Sequence, residues 1–332
     1  MRKLYIFGNG LGMGVSSDAY NLASVMNDVW DDDFNDPTMR RLVAACLPNG
    51  SKRPTSEDQL ATLQDAVSAC EVLLGVRGSS GDHWLSDEGR AFPEAVHEFT
   101  YLVARRMYLA KHRYGATAGQ TCVLPDEFVQ RLLDEIRTSE SHVATLNYDG
   151  LLSRSLGECG MLGGSSPALL DGFSDKKFHR NNLFRARGHG SWYLHLHGSP
   201  LFTDDAKGKP QKLATSTIMR AGKVPKRSGR HIVLTHFQHK PKIIQSSEIL
   251  RIYWEFLGLA IKECPEICLF GYSGNDRHLN RLIAQARGEK TVRVVEWLGA
   301  GSSELREPFW SDQLGGAVEL VLLEDVLTFR DW

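Results

Sequence analysis

Short apolar runs at residues 4–7, 142–146, 192–196, 232–235, 267–270, 292–295 and 318–323 alternate with stretches whose apolar residues recur at helical spacing. Runs this short, bounded by glycine or polar turns, read as buried strands, and the helical stretches supply the crossovers that parallel strands need. The economical fold is α/β, a doubly wound and mainly parallel sheet. One interruption is much longer than a crossover. Between residues 36 and 140 the pattern is helical, with Asp36-Pro37 as cap and first-turn proline and Ser56-x-x-Gln59 as a capping box. Apolar stripes run through Leu60, Leu63 and Val67, through Phe92, Val96, Phe99 and Val103, and through Phe128, Leu132 and Ile136. A crossover needs only about a dozen residues, so residues 36–140 are expected as a helical insertion in a single domain spanning 1–332, whose core is 1–35 and 141–332.

Composition narrows the partners. With 39 basic against 40 acidic residues, the formal charge of −1 provides no global field for a phosphate backbone or an anionic lipid surface. No apolar run reaches the roughly 18 residues of a membrane span, and the opening Met1-Arg2-Lys3 leads into too short an apolar stretch for a signal peptide, so the expectation is a cytoplasmic protein without membrane contact. Charge is locally uneven between 203 and 242. There Lys207, Lys209, Lys212, Arg220, Lys223, Lys226, Arg227, Arg230, Lys240 and Lys242 face only Asp204 and Asp205, which reads as a solvated loop or as the one place for an acidic partner or nucleic acid. Cys46, Cys70, Cys122, Cys159, Cys264 and Cys268 form no C-x-x-C pair, so no structural zinc is expected, and Cys264 and Cys268 read as core. His236 and His239 lack a third ligand nearby and read as solvated.

The candidate site residues stand where strands end. In Trp192-Tyr193-Leu194-His195-Leu196-His197-Gly198 the leucines share one face and Tyr193, His195 and His197 the other, which makes His197 the last strand residue before a glycine turn. Ligands of open α/β sheets sit beyond the carboxyl ends of the strands, where an imidazole is placed for proton transfer. A strand-end histidine is also a common structural residue. Asn147 closes the run 142–146 in the same way, with Asp149 two residues on as a possible helix cap. After the first run comes Gly8-Asn9-Gly10-Leu11-Gly12-Met13-Gly14, read as a glycine loop before a helix whose amides could face an anion. It does not match G-x-G-x-x-G, because Met13 and Val15 stand where the third glycine belongs. Asp31, Asp32 and Asp33 follow at about the distance of a ribose-binding acid, but no strand precedes them and a solvated turn is expected. The glycine-rich stretch 157–190 reads as an irregular loop, and Gly271-Tyr272-Ser273-Gly274 as a turn before a helix opened by Asp276.

In order, the first glycine loop, Thr145-Leu146-Asn147-Tyr148-Asp149, Leu196-His197-Gly198 and Gly271-Tyr272-Ser273-x-x-Asp276-x-x-x-Asn280 resemble the sirtuin fold. More closely, the set looks like the sirtuin-like NAD hydrolases of bacterial anti-phage defence. That resemblance implies a Rossmann-like NAD-binding core, NAD as substrate, no metal, and catalysis by Asn147, orienting ribose or water, and His197 as general base. It implies NAD contacts for Gly8, Asn9, Gly10, Gly12, Ser16, Asp149, Gly271, Tyr272, Ser273 and Asp276. It further implies a homo-oligomer and/or a partner protein of the same defence operon, with the enzyme silent until a signal or partner arrives. The zinc-binding cysteines and the acidic-arginine motif of deacylating sirtuins are missing around residues 15–21 and elsewhere. The alternatives are therefore ordered: a regulatory module that binds NAD or ADP-ribose without turnover comes before a deacylase or ADP-ribosyltransferase.

Overall fold

The computed structural model describes residues 1–76, 84–163, 167–188, 190–220, 228–235 and 237–332. Strand β1 (Lys3–Phe7) is followed by helices α1 (Gly10–Val15), α2 (Ser17–Tyr20), α3 (Leu22–Asp28), α4 (Pro37–Ala45), α5 (Glu57–Leu74), α6 (Asp87–Tyr108) and α7 (Asp126–Ser139). The chain then forms β2 (His142–Thr145), α8 (Leu151–Glu158), β3 (Leu169–Leu170), β4 (Phe173–Ser174), β5 (Lys177–Phe178), β6 (Ser191–His195), β7 (Phe202–Asp204), β8 (Pro210–Lys212) and α9 (Thr215–Arg220). It closes with α10 (Lys240–Ser246), α11 (Glu248–Glu263), β9 (Glu266–Phe270), α12 (Arg277–Ala286), β10 (Thr291–Trp297), α13 (Ser303–Leu314) and β11 (Glu319–Leu323).

Among the described residues seven strands make one sheet in the order β11-β10-β9-β1-β2-β6-β3, and every pairing in it is parallel. The two-residue period of a strand builds a core on each side. Leu4, Ile6, Leu194, Leu269 and Val294 face α10–α13 through Ile244, Phe256, Ile283 and Trp310. Tyr5, Phe7, Tyr193 and Phe270 face the other way, into one cluster with Val25, Val43, Leu63, Phe99, Leu132 and Leu152 of α3–α8. The sheet is doubly wound, as the alternating pattern predicts, and the long helical stretch shares a continuous core with it. Helix starts follow their local chemistry. Asp36 accepts from the amides of Thr38 and Met39 with Pro37 in the first turn, and Ser56 accepts from the amide of Gln59.

Three readings of the sequence need correction. Residues 232–235 form no strand: a single bridge joins Ile232 to Gly198, and this segment lies across the turn after β6. The stretch 157–190 is more structured than a loop, since β4 and β5 pair antiparallel with each other and β5 continues through β8 to β7 in a second, four-stranded sheet. The solvated turn expected at Asp31, Asp32 and Asp33 is present: they close a π-helical turn, Val29–Asp33, with Asp31 and Asp32 exposed, and are ion-paired at the surface, Asp31 to Arg53 and the other two to Arg106. His239 is not solvated, because its ring lies 3.5 Å from Asp65 on α5. His236 lies outside the described residues.

Two buried strand histidines make stability depend on pH. Burial pushes His142 down from 6.5 to about 4 and His195 from 6.5 to about 3, the charge of Arg2 adding to the first and that of Lys212 to the second. Between those values and 6.5 the unfolded chain binds more protons, so the contribution is complete above pH 6.5 and is lost as the pH falls, by about 1.4 kcal/mol per pH unit for each histidine. Asp149, raised by burial from 3.8 to about 6, opposes one of them below pH 6. Denaturant titrations at pH 7, 6 and 5 are expected to show a falling midpoint; equal midpoints would contradict it.

Candidate active site

The site lies at the carboxyl edge of the sheet, where strand order reverses between β1 and its neighbours β2 and β9. A cavity of about 820 Å³ opens there, within the range of small-molecule sites, about 300–1,000 Å³. Its floor is the crossing of two turns. Gly8 donates its amide to the Phe270 carbonyl at 2.9 Å and Gly10 donates to Gly271 at 2.7 Å. A Cβ on Gly10 would stand 2.7 Å from the Gly271 Cα, so side chains are excluded at this crossing. The expected glycine loop is therefore short: Gly8 and Asn9 make the turn, and Gly10, Gly12 and Gly14 already belong to α1. The anion-facing amides expected there are largely committed, since Leu11 also donates to the Gly8 carbonyl at 3.1 Å and Met13 to that of Asn9 at 2.9 Å.

Asn147 and His197 come to this cavity from adjacent parallel strands. Each stands two residues beyond its strand, β2 ending at Thr145 and β6 at His195, so His197 is not the last strand residue. The Leu196 amide still continues the ladder to the Thr145 carbonyl at 2.8 Å, but Gly198 takes φ +86° and turns the chain. Asn147 donates its Nδ2 to the Gly8 carbonyl at 2.9 Å, tying the ends of β1 and β2 together, while its Oδ1 is buried with no partner among the described residues. That oxygen is the part of the side chain left for a ligand hydroxyl or a water.

His197 is held by a carboxylate. Its Nε2 lies 2.9 Å from Asp276 Oδ2, and the Lys240 ammonium lies 3.3 Å from the same oxygen. The other oxygen of Asp276 caps α12, accepting from the amides of His278 and Leu279 at 3.0 and 3.1 Å. Tyr272 fixes this corner, since its hydroxyl accepts from the Asp276 amide at 2.9 Å and lies 2.8 Å from Asn280 Oδ1. Burial would raise the Asp276 carboxyl, but the bond and charge of His197, the charge of Lys240 and the Leu279 amide hold it well below the usual carboxylate range. Burial and then the Lys240 charge push His197 below its ordinary value, against the pull of Asp276 and Glu57. With the carboxylate ionised and the imidazole neutral, Nε2 carries the hydrogen and donates it, and Nδ1 keeps the lone pair that takes a proton.

Of the remaining residues picked from the sequence, Gly8, Asn9, Gly10, Gly271, Tyr272, Ser273 and Asp276 line the cavity, and Gly12, Ser16 and Asp149 lie off its wall. Gly12 is packing: a Cβ there would meet the Tyr20 ring at 2.9 Å and Asp149 Oδ2 at 3.2 Å. Ser16 marks the break between α1 and α2. Asp149 accepts from the Leu151 amide at 2.8 Å at the start of α8. Asn9 donates Nδ2 to the Tyr20 carbonyl at 3.0 Å, and its Oδ1 is buried with no partner among the described residues.

Other residues of the lining carry a weaker sequence signal or none. Glu296, at the end of β10, is gripped by Arg306 through two bonds of 2.8 Å, and Glu324 and Asp325 follow β11. The cue that marks Asn147, a polar residue closing an apolar run, would also have found Glu296. Glu57 from α5 and Lys240 carry no such cue. Lys240 is one of ten bases in a segment read as solvated or partner-binding, yet it is buried. Nearby, Lys212 pairs with Asp171 at 2.9 Å and Lys242 donates to Ser68 at 2.6 Å, while Lys223, Lys226 and Arg227 lie outside the described residues. Among the described residues no group of three or more His, Cys, Asp or Glu could hold a metal ion, and no helix is long and apolar enough to cross a membrane.

No family model matches the sequence, and no curated protein does. A solved structure described as "Structural Basis for the Mechanism and Regulation of Sir2 Enzymes" matches 98% of this chain and 88% of its own at 13% identity and a TM-score of 0.40. At that score the likeness fixes neither family nor activity.

Proposed function

We propose that this chain is a NAD hydrolase that releases nicotinamide and ADP-ribose, with His197 as general base and Asn147 orienting ribose or water. The observation that carries this reading is the pairing of Asn147 and His197 on neighbouring strand ends, at one cavity, with the imidazole oriented by an ionised carboxylate. In the proposed step the bond from ribose C1′ to the nicotinamide nitrogen breaks and neutral nicotinamide leaves with the electron pair. Water adds to C1′, and its proton passes to Nδ1 of His197. A leaving group this good needs little acid catalysis, so positioning and stabilisation of positive charge are the main demands. The lining suits them, with Glu57, Asp276, Glu296, Glu324 and Asp325 against Lys240 and Arg306. The committed amides of Gly10 and Leu11 are not part of this support, and the phosphates of a dinucleotide would be met elsewhere on the wall.

From the order of its motifs we further propose a regulated effector of anti-phage defence that acts as a homo-oligomer or with a partner protein, the remaining charge of residues 207–242 serving an acidic partner. The test is to incubate the purified chain with NAD, alone and with the products of neighbouring genes. Nicotinamide and ADP-ribose are expected, with no acetyl release from lysine peptides. Calorimetric binding of NAD with no turnover under any of these conditions would instead favour a binding module.

A further inference from the structure

The Lys240–Asp276–His197 cluster contains more than a base and its holder. A buried aspartate facing a histidine alone draws a proton onto the imidazole, because an imidazolium beside a carboxylate leaves no net charge in a poorly solvated place. A protonated imidazole has no lone pair for a general base. Here a second cation reaches the same oxygen: Lys240 Nζ at 3.3 Å and His197 Nε2 at 2.9 Å both address Asp276 Oδ2, while Oδ1 is occupied by the helix cap. Lys240, Asp276 and His197 are 5%, 3% and 7% exposed, so solvent does little to screen the exchange. Lysine is costly to bury, and α10, which carries it, is braced on α5 by Lys242 on Ser68 and His239 on Asp65.

We propose that Lys240 is a positioning residue: by neutralising Asp276 it keeps His197 uncharged, so that the carboxylate orients the ring without protonating it. The groups facing the imidazole fit this division. Asp276 comes from the cap of α12 and Glu57 from the start of α5, both favouring a charged ring; Lys240 from α10 opposes them. Tyr148, after β2, lays its ring 6.4 Å away, and its hydroxyl donates to the Val233 carbonyl. The net charge of the pair Lys240 and Asp276 is zero with the imidazole neutral. Remove the lysine and, among the described residues, the imidazole becomes the only cation bonded to that oxygen and able to balance the carboxylate.

The inference rests on the hydrolase reading only for its catalytic consequence, so its test has two readouts. The first is an NMR titration of the His197 imidazole in the full chain, assigned with His197→Gln. In Lys240→Met the ring is expected to take its proton at a pH about one unit or more above that of the wild type. Lys240→Gln, which keeps a donor toward Oδ2 without the charge, should show the same displacement and serves if methionine is poorly tolerated. Lys240→Arg should return the titration toward the wild-type position. An unchanged His197 titration in the two neutral variants overturns the proposal. The second readout is the acid limb of kcat for NAD, which should move up by the same interval with little change in KM. If no NAD is consumed by any variant, the hydrolase reading fails, and the titration still decides the role of Lys240.

Discussion

His197→Ala is expected to lose a factor of about 10² to 10⁴ in NAD turnover while keeping its fold and its affinity for NAD. The fold survives because the residue removed belongs to no apolar stripe, and because Asp276 is not stranded by its loss. Lys240 remains on Oδ2 and the α12 cap remains on Oδ1. Affinity survives because the walls built by Gly8 to Gly10, Gly271 to Ser273 and Glu296 do not depend on the imidazole. Asn147→Ala should cost a comparable factor in rate by misplacing the ribose or water. It also removes the bond to the Gly8 carbonyl, so a further loss of about 1 kcal/mol of stability is expected, which His197→Ala should not show. Single-turnover kinetics, calorimetry and a denaturant midpoint separate these terms. Near-normal turnover by His197→Ala would mean that another group takes the proton.

A larger effect on stability is expected from a single methyl group. Gly198→Ala should destabilise the chain by about 3 kcal/mol or more and remove activity with it. A Cβ at this position would stand 1.7 Å from the His231 carbonyl oxygen and 2.8 Å from its carbon, and φ is +86°. No rotamer relieves such a clash, since both partners are backbone, and the left-handed conformation adds strain of about 1–2 kcal/mol. The crossing cannot simply open. The Val233 amide donates to the His197 carbonyl at 3.0 Å, and Ile232 bridges to Gly198, so residues 231–233 are laid directly over the turn that presents His197. Urea unfolding and NAD turnover check both halves; an alanine variant within about 1 kcal/mol of the wild type would show that the crossing yields, against the expectation.

The sequence by itself determined the layer order of this protein and the strand ends that matter. Short apolar runs can bury themselves on both faces only in a sheet covered on both sides, and the two-residue period assigns Leu4 and Ile6 to one core, Tyr5 and Phe7 to the other, without tertiary knowledge. The same local logic marked Asn147 and His197, because a polar residue closing a buried run stands at the edge where ligands of such sheets collect. It was blind to contacts between residues distant in sequence. Asp276 is a helix cap by local pattern, and only folding brings its second oxygen to His197, 79 residues away, and to Lys240, 36 residues away. Lys240 is indistinguishable from nine other bases in its segment until α10 is placed against α12. The glycine run promised an open cradle of amides, but the tertiary crossing with Phe270 and Gly271 takes those of Gly8 and Gly10, and the turn itself takes those of Leu11 and Met13. Local sequence sets periodicity, capping and turn preference over a few residues; which charge faces which, and which amide stays free, is decided by how the turns cross.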